Sequence, residues 1–289
     1  MHLGPLSPHD VFAQFKLKRL IGGLSWLSRR KIHLPKIADV MLIDIAAAKP
    51  DHIAFTGDLA NIAAPNEFKR ARAWLEKAGS PDFLSFTPGN HDAYVPLSHD
   101  HGLAYWQPWF LGDNKKPNQF PYVRLRRNIA LIGLSTARPQ NLVTARGTLG
   151  ETQRNALRAV LQDMRLKGFC RVVMIHHPPA PGLASPARAL TDAAELAEIL
   201  EEEGAELVIH GHNHRAMLNT LDGKTGKIPL VGVAPASSSG HHGEPAQWNM
   251  YLIARSKGQW QITMQHHRWN RTLQGFVAGD SLPLGQSTP

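Results

Sequence analysis

The sequence predicts an α/β fold, because short apolar runs alternate with amphipathic helices and are separated by turns of Gly, Pro, Asn and Asp. The composition agrees, with 43% hydrophobic and 19% charged residues in a chain of 289. Such a chain can bury a core, which excludes a wholly disordered or fibrous protein. No repeat or linker divides it, so the simplest organisation is one domain over residues 1–278 and a polar tail over 279–289.

The first third of the chain is expected to contain two helices, each followed by a strand. Apolar residues at helical spacing predict a helix over Lys36–Lys49, and His52–Thr56 is typical of a buried strand. Asn66 is expected to cap a second helix that ends near Gly79, and Phe83–Thr87 supplies the next strand.

The remainder continues the alternation and then becomes β-rich. The predicted elements are a hairpin of Tyr122–Leu125 and Ile129–Leu134, a helix over Glu151–Leu166, a strand over Arg171–Ile175, a helix over Asp192–Glu203 and a strand over Leu207–Ile209. After these, four apolar runs separated by turns predict antiparallel strands near 216–221, 229–234, 249–255 and 259–266.

Composition also restricts the chemistry. A single Cys beside sixteen His excludes an intramolecular disulfide and a thiolate metal cluster, so any metal site must use His, carboxylate and amide ligands. The net charge of +9 attracts anionic partners. The longest apolar run is far shorter than the roughly 20 residues of a membrane-spanning helix, and the first residues do not resemble a signal peptide. We therefore expect a cytoplasmic protein.

Four polar clusters follow predicted strands. They are Gly57-Asp58-Leu59-Ala60-Asn61, Gly89-Asn90-His91-Asp92, His176-His177-Pro178-Pro179 and Gly211-His212-Asn213-His214. Ligands of α/β sheets bind beyond the carboxyl ends of strands, and Asp and neutral His are good ligands for divalent transition metals. A Gly-Asp or Asn-His-Asp cluster alone is more typical of a turn. Four of them in this order indicate a metal site.

These motifs resemble the calcineurin-like metallophosphoesterase superfamily. The stretch from Gly57 to Phe68 is similar to its class III cyclic-nucleotide phosphodiesterase and glycerophosphodiesterase branch. The resemblance covers roughly residues 1–255 and implies a four-layer αββα sandwich, in which helices flank two mixed β-sheets. It also implies two divalent transition-metal ions, of manganese, iron, zinc or cobalt, and an anionic phosphoester substrate.

The resemblance assigns a role to each polar side chain. Asp58 would bridge the two ions. One ion would take Asn90, His176 and His212, and the other would take His2 and His214. Two further residues are implied to be catalytic: His91 as the acid at the leaving group, and Asp92 as the group that orients it. Asn61 is a candidate substrate contact, with a helix cap as the equal alternative.

The chain departs from the family at its first motif. The family opens with Asp-x-His at the end of its first strand, whereas this chain begins Met1-His2-Leu3-Gly4 and lacks both the Asp and the strand. Either the reading frame starts upstream or the first metal site is weakened. For the chain as given we expect looser binding of the first metal and a sheet that lacks a central strand.

The implied activity is hydrolysis of a phosphoester, and of a phosphodiester in particular, by attack of a metal-bound hydroxide. Two alternatives stay open. A nuclease of the same superfamily would suit the positive charge, although no single-strand platform or nucleic-acid module is visible and no specific nucleic-acid partner is expected. A non-catalytic scaffold would explain the missing Asp. The sequence does not determine an oligomeric state.

A basic insertion over about residues 10–33 separates the first two motifs. Its apolar residues fall near one helical face, and Lys18, Arg19, Arg29 and Arg30 are among its basic residues. Such a helix can lie on an anionic membrane, which would give the protein a peripheral location. The alternative is a helix that packs its apolar stripe on the domain. His177, and a loop over Ser237–Glu244 that could rim the pocket, are expected to be structural or accessory.

Overall fold

The computed structural model describes residues 2–4, 6–7, 10, 18–19, 21–23, 26, 32–96, 102–141, 144–224, 226–241 and 243–287. The helices whose full length lies within these ranges are α1 (Pro35–Ala48), α2 (Pro65–Ala78), a 3₁₀ helix (Leu103–Phe110), α3 (Glu151–Leu166) and α4 (Ala193–Glu203). The strands are β1 (Ile53–Phe55), β2 (Leu84–Phe86), β3 (Tyr122–Arg126), β4 (Ile129–Gly133), β5 (Cys170–Met174), β6 (Leu207–His210), β7 (Met217–Gly223), β8 (Gly226–Gly232), β9 (Gln247–Ser256), β10 (Gln259–Asn270) and β11 (Gly275–Ser287).

The strands form one large sheet and two small ones. The six-stranded sheet has the order β3-β4-β5-β6-β8-β7. Its central strands β4, β5, β6 and β8 run parallel, whereas β3 and β7 are antiparallel edges. Strands β1 and β2 form a parallel pair, and β9, β10 and β11 form an antiparallel sheet. The parallel strands that precede Asp58, Asn90, His176 and His212 are therefore present.

Alternation along the central strands explains the layering. Val172 and Met174 of β5 pack with Trp260 and Ile262 of the C-terminal sheet, whereas Val173 faces the core beneath α3 and α4. Successive strand residues point to opposite faces, so one strand contributes to two cores. Helices α1 and α2 cover β1, β2 and the C-terminal sheet from the other side. The four-layer αββα metallophosphoesterase sandwich is thus confirmed.

The layer formed by the two small sheets is divided. Strand β1 pairs with β2 and β9 pairs with β10, and no described strand joins β1 to β9. A cavity of about 430 Å³ lies here, lined by Ile53 and Phe55 on one side and by Trp248 and Ile253 on the other. This arrangement agrees with the expectation of a sheet without a central strand.

Two local features differ from the sequence-based expectations. Asn66 does not cap α2; Ala64 occupies the N-cap, and the Glu67 carboxylate accepts the Ala64 N–H at 2.9 Å. The segment expected to be a tail after residue 279 instead forms most of β11, which pairs with β10 along its length. Its Gly and Pro residues gave no strand signal in the sequence, and among its side chains with a described burial (275–284) Leu284 alone is buried in the core.

Part of the basic insertion lies outside the described residues, including Arg29 and Arg30. Lys18 Nζ donates hydrogen bonds to the carbonyls of Tyr94 and Gln140 at 2.7 and 2.9 Å. Arg19 is fully buried and donates to the Ile62 carbonyl at 3.3 Å. These contacts are those of a segment that packs on the domain. None of the helices within the described ranges combines the length and the apolar character that crossing a membrane requires.

Candidate metal centre

The centre is built from loops at the carboxyl ends of four strands. Asp58 follows β1 and Asn90 follows β2, whereas His176 follows β5 and His212 follows β6. The two pairs of strands belong to different sheets, and their ends meet between the sheets. All four side chains are buried. We call these residues the inner cluster.

The polar atoms of the inner cluster converge at short range. Asn90 Oδ1 is 3.1 Å from His176 Nε2 and 3.0 Å from His212 Nδ1. Those two ring nitrogens are 3.3 Å apart, and Asp58 Oδ2 is 3.3 Å from His176 Nε2. Three potential ligand atoms from three loops therefore surround one point, and Asp58 Oδ2 lies beside His176.

Hydrogen bonds on the far side of each ring define which nitrogen faces that point. His176 Nδ1 donates to the Thr56 carbonyl at 2.6 Å, and His212 Nε2 donates to the Arg188 carbonyl at 2.8 Å. A neutral imidazole with one nitrogen donating presents a lone pair on the other. The inner cluster thus aims two imidazole lone pairs, an amide oxygen and a carboxylate oxygen at each other. Hydrogen-bond acceptors that face only each other would repel. This set of ligand atoms therefore fits a divalent cation.

A second group lies on the other side of Asp58. His2, His33 and His214 offer ring nitrogens that lie within 4.8 Å of one another. We call these three residues the histidine cluster. The His2 ring centroid is 4.8 Å from that of His33 and 5.4 Å from that of His214. The sequence predicted His2 and His214 together but missed His33.

Asp58 stands between the two clusters. Its Oδ2 is 3.3 Å from His176 Nε2 and 3.9 Å from His2 Nε2, and its Oδ1 accepts the backbone N–H of His91 at 2.9 Å. Burial alone would raise the pKa of Asp58, but the His176 and His91 rings lower it well below the usual range. A permanently ionised carboxylate in this position suits a bridge between two cations.

Three of the four metal-site histidines predicted from the sequence are held neutral. Burial keeps the pKa of His2, His212 and His214 well below the usual value, with neighbouring imidazoles adding to the effect. At His176 burial also lowers the pKa, but the Asp58 carboxylate outweighs it and the net shift is upward. Neutral imidazole is the form that binds a metal ion.

The ligand loops hold unusual backbone conformations. Asp58, His212 and His214 have φ values of 60°, 68° and 57°, in the left-handed region that non-glycine residues seldom adopt. Such strain persists only where the surroundings enforce it and clusters at functional sites. Gly89 permits the close approach, because an added Cβ would lie 2.7 Å from His176 Cε1 and 2.8 Å from the Asp58 backbone nitrogen.

His91 lies beside the histidine cluster, with its ring centroid 4.6 Å from that of His2. Its Nδ1 donates to the Asn61 carbonyl at 2.6 Å, so that carbonyl orients the ring. The expectation that Asp92 would do so is corrected. The buried Asp92 carboxylate accepts the backbone N–H groups of Asp58 and Gly89, both at 2.8 Å, and of Ala60 at 2.9 Å.

Asp92 is therefore placed as a brace between the loops that follow β1 and β2. Burial and the neighbouring Asp58 charge raise the pKa of Asp92 to about 7, despite the backbone donors. The catalytic role implied for Asp92 and for His91 stays a prediction, with the geometry favouring a positioning role for Asp92.

Asn61 is buried, and its side-chain nitrogen donates to Glu67 Oε1 at 2.9 Å and to the Leu3 carbonyl at 3.4 Å. Its amide nitrogen is thus engaged within the fold, and its role as a substrate contact stays a prediction. His177 is also buried, with Nε2 donating to the Ala145 carbonyl at 3.1 Å and Nδ1 2.7 Å from the Thr136 hydroxyl. Both of its nitrogens are engaged away from the inner cluster, as expected of a structural residue.

Comparison with known proteins identifies relatives of this chain. The family model for calcineurin-like phosphoesterases matches residues 29–216. A probable cyclic nucleotide phosphodiesterase of Synechococcus is 26% identical over 172 residues, which cover 58% of this chain and 60% of that protein. A cAMP/cGMP dual specificity phosphodiesterase of Mycobacterium tuberculosis is 28% identical over 195 residues, covering 65% of this chain and 55% of that protein.

A third relative, a probable cyclic nucleotide phosphodiesterase of Rhodococcus erythropolis, is 24% identical over 182 residues and matches over 62% of this chain and 56% of its own length. This chain therefore spans less than two thirds of the length of these curated relatives. Among solved structures, a dimetal phosphatase from Danio rerio superposes with a TM-score of 0.59 at 15% identity, covering 86% of this chain and 88% of that one. That likeness supports the fold.

Proposed function

Because the chain belongs to the calcineurin-like phosphoesterase family, we propose that it is a metal-dependent phosphoric ester hydrolase with a dinuclear centre. The inner cluster would hold one divalent ion and the histidine cluster the other, with Asp58 shared between them. Mn, Fe, Zn and Co are the candidate metals, since all of them accept nitrogen and oxygen ligands.

One observation carries this proposal. Asn90 Oδ1, His176 Nε2 and His212 Nδ1 lie within 3.0–3.3 Å of each other, and each ring presents its lone pair inward because its other nitrogen donates to a carbonyl. A purely structural polar cluster would pair donors with acceptors. When His176 is neutral, these acceptors face each other without a donor, which favours a site built for a cation.

When bound, the ions would supply positive charge that neutralises a phosphoryl group and lowers the pKa of a coordinated water. The protein's contribution is orientation. The Asn61 carbonyl fixes His91 Nδ1 as a donor, so Nε2 is the atom that exchanges a proton with the leaving-group oxygen. The three backbone hydrogen bonds to Asp92 keep Asp58 and the loop of Asn90 in register with each other.

We propose phosphodiesters as the substrate class. The support is the names of the relatives, two of which are called probable cyclic nucleotide phosphodiesterases and one a cAMP/cGMP phosphodiesterase. The net charge of +9 suits an anionic ester of any kind and does not select among them. A 3′,5′-cyclic nucleotide is accordingly the first natural compound to test.

The test is hydrolysis by purified protein after removal of metal and reloading with Mn, Fe, Zn or Co. Bis(p-nitrophenyl) phosphate and 3′,5′-cAMP represent diesters, and p-nitrophenyl phosphate represents a monoester. We expect diester hydrolysis that chelation abolishes and that His212→Ala lowers by more than about 100-fold. His266→Ala, a histidine on β10, should leave the rate unchanged.

Absence of hydrolysis of all three esters with each of the four metals would overturn the proposal. Activity in His212→Ala equal to that of the unmodified protein would overturn the assignment of the inner cluster. A rate on the monoester that exceeds the rate on both diesters would replace the proposed substrate class.

A further inference from the structure

We propose that His33 is a ligand of the ion held by the histidine cluster, together with His2 and His214. The proposal rests on the proposed metal-dependent function and concerns the same centre. It adds to the cluster a ligand that the sequence motifs do not indicate.

The fold carries His33 to the centre by a specific contact. His33 forms an isolated antiparallel bridge with Ser238. Hydrogen bonds on both sides of it, from the Leu34 N–H to the Ser237 carbonyl at 2.8 Å and from the Ser239 N–H to the Ile32 carbonyl at 2.7 Å, hold the segment. The chain before α1 is thus attached to the loop after β8, and His33 is fixed between them.

The ring has the orientation that a ligand requires. Its Nδ1 is 3.0 Å from the Ser237 hydroxyl, and a neutral imidazole that donates there carries its lone pair on Nε2. The His33 ring centroid lies 4.8 Å from that of His2 and 5.5 Å from that of His214. Metal-binding histidines characteristically donate their other nitrogen to a neighbouring oxygen in this way.

The histidine cluster repeats this arrangement at His2. The Nδ1 of His2 donates to the Ala60 carbonyl at 3.1 Å, which leaves Nε2 facing Asp58 Oδ2 at 3.9 Å. With His33 included, three imidazoles offer ring nitrogens within 4.8 Å of one another, and Asp58 lies beside the His2 ring. Three nitrogen ligands are typical of zinc and cobalt sites, and they bring few oxygen ligands to the ion. The site should therefore favour Zn and Co over Mn, which prefers oxygen ligands.

The experiment is a titration of metal-free protein with Co²⁺, followed by calorimetry and by the visible absorption of bound cobalt. The unmodified protein should bind two ions in two steps. We expect His33→Ala to weaken one step by at least about tenfold and to change its absorption band, while the other step keeps its affinity. Ser237→Ala, which removes only the hydroxyl beside Nδ1, should weaken the same step less.

Three controls make the result specific. His266→Ala should keep both steps, His212→Ala should weaken the step that His33→Ala spares, and far-ultraviolet circular dichroism should show that each variant is folded. Two steps of unchanged affinity and unchanged absorption in folded His33→Ala would overturn the proposal, as would binding of only one ion by the unmodified protein.

Rejection of His33 as a ligand can be distinguished from rejection of the hydrolase. Diester hydrolysis with intact Co²⁺ binding in His33→Ala would leave the hydrolase standing and remove His33 from the centre. Two-ion binding that depends on His33, without hydrolysis of any ester, would support His33 and reject the hydrolase.

Discussion

The inner cluster and the histidine cluster take their ligands from different parts of the fold. The inner cluster draws on loops that follow β1, β2, β5 and β6, and its ligand atoms already lie 3.0–3.3 Å apart. The histidine cluster takes His2 and His33 from segments before the first described strand, and its ring nitrogens lie within 4.8 Å of one another. One half depends on the sheets, and the other on segments attached to them.

The ligands of the proposed centre therefore differ in how firmly the fold holds them. Strands β5 and β6, which precede His176 and His212, are paired along both edges, so the loops that follow them have little freedom to move. Strands β1 and β2 pair only with each other among the described strands. His33 is held outside the named strands, by a bridge to Ser238 and the hydrogen bonds that flank it.

The largest effect is expected where the halves meet. Asp58→Asn keeps the shape but removes the charge that both clusters share, so both metal-binding steps should weaken and diester hydrolysis should fall by more than about 100-fold. Metal content after dialysis and kcat/KM measure this. Asp82→Asn, at an exposed position, is the matched control. Loss of a single ion only would show that the halves are independent.

Removal of one ligand from each cluster tests which cluster binds its ion more tightly. Because the inner cluster is more closely preorganised, we expect the tighter of the two ions to bind there. In calorimetry, His212→Ala should then lower the affinity of the tighter step by at least about tenfold. His214→Ala should lower the affinity of the weaker step by a similar factor. The opposite assignment of the steps would contradict the idea that short ligand distances set the order of binding.

Gly89→Ala tests the packing beneath the inner cluster. The added methyl would lie 2.7 Å from His176 Cε1 and 2.8 Å from the backbone nitrogen of Asp58, so Gly89 or these neighbours must shift. Such overpacking costs about 1–3 kcal/mol. We expect that loss in urea unfolding, together with a weakened tighter metal step. Gly275→Ala, whose methyl meets its nearest atom at 3.8 Å, is the control; equal behaviour of the two variants would refute the expectation.

A half-buried histidine outside both clusters shows how desolvation and nearby positive charges shift a pKa. Burial, aided by Arg126 and Arg124, lowers the pKa of His52 to about 3. The unfolded imidazole takes up a proton near pH 6.5, so the unfolded state binds more protons between pH 6.5 and 3, and stability falls as the pH falls through that range. The contribution is at most about 1.4 kcal/mol per pH unit.

His52→Gln should therefore make the free energy of unfolding less dependent on pH below 6.5, by up to about 2 kcal/mol between pH 6.5 and 5. Urea unfolding at a series of pH values measures it. His241→Gln, at an exposed position, should retain the dependence of the unmodified protein. An unchanged slope in His52→Gln would show that His52 does not resist protonation.

The inner cluster could be predicted because its signals are local. Asp58, Asn90, His176 and His212 each follow an apolar strand, and parallel strands deliver their carboxyl ends to one edge. The helices were equally predictable from their spacing, and α3 has the bounds that the sequence indicated, Glu151–Leu166. In these regions local preference and tertiary position agree.

The remaining features depend on distant contacts. An isolated histidine before α1 carries no ligand pattern, and His33 joins the centre only because the fold brings it to Ser237, 204 positions along the chain. Asp92 was assigned to His91 because they are adjacent in sequence, yet its carboxylate points back to loop N–H groups. Strand β11 pairs with β10 along its length, whereas its own Gly and Pro residues gave no strand signal.

The Asp92 brace has a consequence for hydrogen exchange. Strands β1 and β2 are only three residues long, so their ladder protects few amides. The N–H groups of Asp58, Ala60 and Gly89 nevertheless end on one buried carboxylate and can open only if that carboxylate moves. These three amides should exchange with solvent deuterium at a common, slow rate, as a single cooperative unit that is more protected than the short ladder beside it.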